Sequence, residues 1–130
     1  MEYHVLRIGF DESSKRPELR TFNFKQIAGR YIPLDSKGYD VTYMSDDSLR
    51  KLIAEHCVVG TIIEVREEAI AFFPRFKDLA PDGLWVNKVA ESKLEGKVFI
   101  SLRVINPMTQ LKGSIKLHDY MQQRILEQHK

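Results

Sequence analysis

Apolar side chains recur at every second position over much of this chain, and that period restricts the possible folds more than any other feature. Residues 3–10 alternate between two sides of the extended chain, with His4, Leu6, Ile8 and Phe10 on one side and Tyr3, Val5 and Arg7 on the other. Because successive side chains of a β-strand point to opposite faces, this alternation predicts a strand with one buried face. Similar runs predict further strands at residues 19–25, 30–34, 41–44, 58–65, 69–73, 84–90 and 97–105.

The period lengthens to that of a helix in two segments. Ser45 can cap a helix, and Asp46 and Asp47 suit its positive N-terminal end. This helix is predicted over about residues 46–57, with a shared stripe of Leu49, Leu52, Ile53 and His56. A second helix is predicted over about residues 114–128, with an apolar stripe of Leu117, Tyr120, Met121 and Ile125.

Turn residues separate these elements. Residues 35–40 are predicted to form a turn, in which Gly38 can adopt a positive φ. Pro33 indicates a sheet edge or a strand end, because proline cannot donate to a β-ladder. Residues 66–68 are polar and are predicted to form the tip of a hairpin.

Hairpin-linked strands with only two helices predict an α+β fold. We expect a mainly antiparallel sheet of about six to seven strands, with both helices covering one face. The chain has 130 residues, of which 43% are hydrophobic and 29% are charged, as in an average globular protein. We therefore predict a single α+β domain over residues 1–130.

The cellular setting is predicted from cysteine use and apolar runs. Cys57 is the only cysteine, so no intrachain disulfide can form, which fits a reducing compartment. The N-terminus lacks the basic start and long apolar run of a secretory signal. The longest nearly uncharged apolar stretch, residues 57–63, is too short to span a bilayer. We expect a cytoplasmic protein that does not contact membranes.

Acidic residues provide the best enzymatic pattern in the sequence. Asp40 precedes a β segment, and Glu64 lies near the end of a later strand, two residues before Arg66. This arrangement resembles, in outline, metal-dependent nucleases, which hold a divalent cation with an acidic residue and a later Glu-x-Lys. Arg66 stands at the lysine position and cannot act as a base, because arginine does not deprotonate. The simpler interpretation makes Glu64 and Arg66 solvent-facing strand residues.

Histidine and cysteine give no clear reactive motif. His56 and Cys57 are adjacent, but neighbours on a helix point about 100° apart and do not form a catalytic hydrogen bond. We predict a core histidine beside a buried thiol. The other histidines, at His4, His118 and His129, are widely spaced, and no glycine-rich phosphate loop is present. The sequence predicts no cofactor, no metal site and no catalytic residues.

The segment 74–83 and its flanks provide the best candidate binding site. Long loops in compact domains are often functional, and tryptophan and arginine dominate many protein interfaces. In the alternative interpretation, Phe76, Leu79 and Trp85 pack back over the open end of the sheet. The proposed protein-binding residues are Arg75, Phe76, Lys77, Asp78, Leu79, Trp85 and Lys88.

Two functional hypotheses follow. The first is a non-catalytic protein-binding module of the inhibitor, immunity, anti-defence or adaptor type, with another protein as partner. The second is a protein that acts on nucleic acid, either a binder that uses the more basic C-terminal half or a weak metal nuclease that uses Asp40 and Glu64. The net charge of +2 is too small to favour nucleic acid by itself.

Overall fold

The computed structural model describes residues 2–39, 44–72, 83–109 and 112–128. Within these residues the chain forms a seven-stranded sheet, three α-helices and one 3-10 turn. The strands are β1 Glu2–Asp11, β2 Arg16–Ile27, β3 Arg30–Tyr39, β4 Ile62–Arg66, β5 Trp85–Leu94, β6 Lys97–Ile105 and β7 Ile115–Lys116. The helices are α1 Asp46–His56, α2 Glu67–Phe72 and α3 Leu117–Gln128, and the 3-10 turn is Pro107–Thr109.

The strand order is β3-β2-β1-β4-β6-β5-β7. Only β1 and β4 pair in parallel, and every other neighbouring pair is antiparallel. The parallel pair requires a crossover, because the chain leaves β3 at one edge, forms α1, and returns as β4 on the other side of β1. The predicted α+β fold with a mainly antiparallel sheet is confirmed.

The core lies between the helices and one face of the sheet. Cross-strand register brings apolar side chains into line, with Leu6 beside Ile63 and Ile63 beside Leu102. These three side chains are fully buried, and the apolar stripes of the helices pack on the same face. Removing one such side chain by substitution with alanine costs about 2–5 kcal/mol of stability. The alternation predicted for residues 3–10 therefore defines the buried face of β1.

Two tight hairpins connect the antiparallel strands. Ala28 and Gly29 both have positive φ, at 51° and 78°, between β2 and β3. Glu95 and Gly96 repeat this conformation, at 53° and 79°, between β5 and β6. Two-residue loops with positive φ at both positions match the right-handed twist of the strands that they join.

The predicted turn at residues 35–40 is wrong. Strand β3 continues through this polar segment to Tyr39, and Gly38 does not have a positive φ. A Cβ at Gly38 would lie 2.9 Å from a guanidinium nitrogen of Arg20, so glycine makes room for that side chain. The edge position of β3 confirms the interpretation of Pro33, and it explains why a polar segment can still be a strand.

The predicted hairpin at residues 66–68 and the strand after it are also wrong. Glu67 and Glu68 begin α2, where acidic side chains favour the positive end of the helix. Ala69 and Ile70 are both buried, and adjacent residues can share one buried side in a helix but not in a strand. Helix α2 is therefore a third helix that the sequence did not predict.

Two further boundaries differ from prediction. Helix α3 begins at Leu117 and not at residue 114, because Ile115 and Lys116 first pair with β5 as the short strand β7. Most of the strand predicted at residues 41–44 lies outside the described residues. Among the described residues, no helix is both long enough and apolar enough to cross a membrane.

Candidate functional site

The sheet has a second face, opposite the helices, where apolar side chains are only half-buried. We call the face that the helices cover the helix side. In the described part of the chain, the buried core cluster contains side chains of the helix side and none from the opposite face. We call the second face the open face. Its aromatic and aliphatic side chains include Tyr3, Val5, Phe22, Phe24, Ile62, Trp85 and Ile105.

A groove of about 250 Å³ crosses the centre of the open face. Strand register explains why its lining residues meet: Tyr3 lies opposite Phe24, Val5 opposite Ile62, and Ile62 opposite Arg103. The groove thus runs across the four adjacent strands β2, β1, β4 and β6. Four of its five lining side chains are apolar or aromatic, and Arg103 supplies the charge.

Arginine and aromatic side chains pack together beside this groove. The rings of Phe22 and Phe24 are stacked with their centroids 5.7 Å apart. The guanidinium of Arg7 lies 4.5 Å from the centroid of Phe22 and 3.3 Å from a carboxylate oxygen of Glu64. Arg7 is therefore held by an aromatic face and by an ion pair, and its charge is partly neutralised.

Two further cations carry the positive charge of the open face. Arg103 is exposed, and no carboxylate of the described residues lies within ion-pair distance of it. Lys116 places its Nζ 6.0 Å from the ring centroid of Trp85, its neighbour across the β5–β7 ladder. The groove therefore has a positively charged rim on the side of β6.

The sequence-predicted binding residues are only partly placed by the structure. Trp85 is half-buried on the open face, whereas Lys88 follows the buried Val86 by two residues and belongs to the helix side. Lys88 is exposed there and forms an ion pair with Glu91. The other predicted binding residues lie outside the described residues; they are Arg75, Phe76, Lys77, Asp78 and Leu79.

Sequence reasoning did not identify the groove, although one signal for it was available. Alternation puts Tyr3, Val5 and Arg7 on the side of β1 opposite the core, and two of these three are apolar or aromatic. A strand with one solvated face usually has polar residues there. The apolar second face of β1 was thus visible in the sequence, but its partners Phe24, Ile62 and Arg103 require the strand order.

Of the two acidic residues considered for metal binding, only Glu64 lies within the described residues, and it has another contact. Asp40 lies outside the described residues, and Glu64 pairs with Arg7. Arg66 donates to Glu68, to Glu12 and to the carbonyl oxygen of Phe10. In the described ranges, no three or more His, Cys, Asp or Glu side chains are grouped so that they could hold a metal ion. Arg66 thus ties the start of α2 to the end of β1.

Glu12 is the second anchor of this ion-pair cluster. It contacts Arg66 at 2.7 Å and Lys97 at 2.8 Å. The hydrogen bond from Lys97, and then that from Arg66, lowers the pKa of Glu12 to about 2. The cluster connects β1, β4 and β6, which agrees with a structural role for Arg66.

Cys57 and His56 do not form a pair. Cys57 is buried and its backbone N–H caps α1 by donating to the carbonyl oxygen of Ile53. Burial raises the pKa of the Cys57 thiol to about 12, which removes its nucleophilic character near neutral pH. His56 instead contacts His4 of β1, with Nδ1 of His56 3.3 Å from Nε2 of His4.

This histidine pair belongs to a chain of five polar side chains. Nδ1 of His4 lies 2.7 Å from Oδ1 of Asn23, and the amide nitrogen of Asn23 donates to Asp35 at 2.6 Å. At the other end, Nε2 of His56 lies 3.4 Å from the hydroxyl of Tyr39. The chain joins the C-terminal end of α1 to strands β1, β2 and β3.

Elementary donor and acceptor rules define the protons in this chain. The ionised carboxylate of Asp35 only accepts, so the amide nitrogen of Asn23 faces Asp35 and its oxygen faces His4. If His4 carries a single proton, that proton lies on Nδ1, because the oxygen of Asn23 can only accept, and Nε2 is left to accept from Nδ1 of His56. Nε2 of His56 then accepts from the Tyr39 hydroxyl, and every group in the chain has a partner.

Comparisons with protein-family models, curated proteins and solved structures give no match for this chain. The function of this chain must therefore be inferred from the surface chemistry of its open face.

Proposed function

We propose that this chain is a non-catalytic protein-binding module that docks onto its partner through the open face of its sheet. The observation that carries the proposal is the apolar groove, which is lined by Tyr3, Val5, Phe24 and Ile62 and edged by Arg103. Such a module would be of the inhibitor, immunity, anti-defence or adaptor type. The proposed site is therefore the centre of the sheet, whereas the sequence alone favoured the segment 74–83 and its flanks.

The composition of the open face supports a protein partner. Tyrosine, tryptophan, phenylalanine and arginine are enriched in protein interfaces, whereas lysine is depleted. The central strands of the open face carry Tyr3, Phe22, Phe24, Arg7 and Arg103, with Trp85 and Lys116 toward the edge. Such side chains provide a large contact area on a rigid support.

The groove and its rim also define the chemistry of the partner. A volume of about 250 Å³ is smaller than the usual drug-sized pocket and suits a single apolar side chain. No carboxylate of the described residues lies within ion-pair distance of Arg103. Its guanidinium is therefore available to bind an acidic group of the partner, next to the apolar side chain that enters the groove. We therefore expect a partner that presents an apolar anchor residue with a neighbouring aspartate or glutamate.

Site-specific photo-crosslinking tests this proposal. A photoreactive amino acid at Ile62, inside the groove, should capture one defined partner from extracts of the source organism. The same probe at Leu126, which is 59% exposed on α3, is the matched control and should not capture it. Arg103→Glu should then weaken binding of the purified partner by at least tenfold, because it places a carboxylate opposite an acidic group.

The proposal fails if the Leu126 probe captures the same partner equally well. It also fails if Arg103→Glu and Phe24→Ala both bind the purified partner as tightly as the wild type. Far-UV circular dichroism of each variant establishes that the sheet is intact. Lys88→Ala, on the helix side, serves as the control substitution for affinity.

Single-stranded nucleic acid is the second candidate ligand for the same face. The observation that favours it is the side-by-side placement of Tyr3, Phe22 and Phe24 on β1 and β2, with Arg7 against them. Exposed aromatic rings on a sheet can stack bases, while arginine contacts phosphates. Titration of single- and double-stranded oligonucleotides at increasing salt, with and without magnesium, separates this ligand from a protein. Binding must weaken steeply with salt, and no binding at low salt excludes it.

A further inference from the structure

The pair of His4 and His56 has ring nitrogens in an arrangement that suits a metal ion. Their inner nitrogens, Nε2 of His4 and Nδ1 of His56, lie 3.3 Å apart. Their outer nitrogens are occupied by Asn23 and Tyr39 respectively. We propose that the two inner nitrogens bind a divalent transition metal ion such as Zn²⁺.

The separation of the inner nitrogens is the first argument. Two histidine nitrogens at about 2.0–2.1 Å from a tetrahedral zinc ion lie roughly 3.3–3.4 Å from each other. The observed distance of 3.3 Å falls at this value. A zinc ion bound to both nitrogens therefore requires little change in their separation.

The groups behind the histidines are the second argument. Histidines that bind metals usually donate their other ring N–H to a carbonyl or carboxylate group, which orients the ring and raises its basicity. Nδ1 of His4 donates to Oδ1 of Asn23, and Asp35 holds that amide in the required orientation. His4 thus has its lone pair directed at His56 before any ion binds.

The hydrogen-bond chain can also release His56 for metal binding. The donor and acceptor rules above put a proton on Nδ1 of His56, which donates it to His4. When the metal binds, this proton is lost from Nδ1 and a proton is taken up at Nε2, so neutral His56 keeps one proton. The hydroxyl of Tyr39 then accepts from Nε2 instead of donating to it, because a hydroxyl can do both.

The surroundings determine how strongly such an ion is held. Both rings are half-buried, so water can complete the coordination of the metal. Glu55 favours a cation at this position and Lys37 opposes it. With two protein ligands, the site is expected to be weaker and more exchangeable than zinc sites with three or four.

Metal titration of the untagged protein tests the proposal. Calorimetry with ZnCl₂ should show one ion per chain, and CoCl₂ should produce a visible absorption band. His4→Gln and His56→Gln should each lower the zinc affinity at least tenfold, whereas His118→Gln, on α3, should leave it unchanged. Asn23→Leu should lower it by about 10–100-fold, the usual effect of losing the partner behind a ligand.

The proposal is overturned if the wild type binds neither zinc nor cobalt, or if His4→Gln and His56→Gln bind zinc as tightly as the wild type. An NMR measurement on the unmodified protein tests the site without depending on the folding of any variant. In ¹⁵N spectra of the histidine rings, zinc must shift Nε2 of His4 and Nδ1 of His56. Shifts confined to His118 or His129 would also reject the site.

Discussion

His56 shows how the surroundings of a single residue change its chemistry. Its pKa is lowered below 6.5, first by burial and then by repulsion from the charge of His4, with Lys37 adding to the effect and Glu55 opposing it. The folded state therefore binds this proton less readily than the unfolded state does. A second proton in the pair would also set two N–H groups against each other at 3.3 Å.

Stability should consequently depend on pH in a defined window. A lowered pKa in the folded state means that the contribution of His56 is fully present above pH 6.5 and declines as the pH falls below 6.5 toward the lowered pKa. Urea unfolding at a series of pH values measures this slope. His56→Gln should reduce the slope of the free energy of unfolding against pH in that window, whereas His118→Gln should leave the slope unchanged. An unchanged slope in His56→Gln would contradict this account.

The thiol of Cys57 should be inert in the native protein. Its side chain is buried and its pKa is raised to about 12 by loss of solvent, so the reactive thiolate is scarce at neutral pH. Alkylation with iodoacetamide, followed by mass spectrometry, should label Cys57 only as fast as the protein unfolds. Rapid labelling of the folded chain would show that the thiol is accessible.

Among the elements, α1 has a start that was clear in the sequence. The side chain of Ser45 accepts from the backbone N–H of Ser48, and Asp46 and Asp47 lie in the first turn. This cap satisfies one of the otherwise unpaired N–H groups at the start of the helix.

Removing the cap should cost a measurable amount of stability. Ser45→Ala should lower the free energy of unfolding by about 1 kcal/mol, because the N–H of Ser48 loses its partner. Ser45→Asn should retain most of the stability, since asparagine caps helices about as well as serine. Urea denaturation compares the three proteins. Equal losses for both variants would point to another role for Ser45.

Helix α2 and strand β3 show where local patterns fail. The run from Ala69 to Phe73 has the apolar character of a strand, but α2 buries both Ala69 and Ile70 against the sheet. In β3, the polar residues after Pro33 predict a turn, yet pairing with β2 extends the strand to Tyr39. Pairing and packing with distant segments outweigh local preference in both cases.

At the scale of the molecule, the parallel contact of β1 and β4 joins two halves of the sheet. On one side lie β2 and β3, and on the other lie β6, β5 and β7. Buried residues from both halves belong to a single core cluster, which includes Leu19 of β2 and Val104 of β6. A shared core should make the domain unfold as one unit.

This cooperativity can be measured with two probes. Trp85, the only tryptophan, reports on β5 by fluorescence, whereas far-UV circular dichroism reports on the whole sheet and the helices. The two urea transitions should coincide for the wild type and also for Leu6→Ala. In Leu6→Ala, the free energy of unfolding from each probe should be lower by about 2–5 kcal/mol. Separate transitions would mean that the halves unfold independently.

The patterns of the sequence determined strands β1 to β6 in outline, helices α1 and α3, and the class of the fold, because such periods state which side of an element is buried. Leu6 and Ile8 of β1, and Leu49 and Ile53 of α1, could be assigned to the core in this way. The tertiary structure decided which strands are neighbours. Neither the groove, which joins Tyr3 to Arg103, nor the contact between His4 and His56 can be predicted from spacing, because residues distant in sequence meet only when the strand order is known.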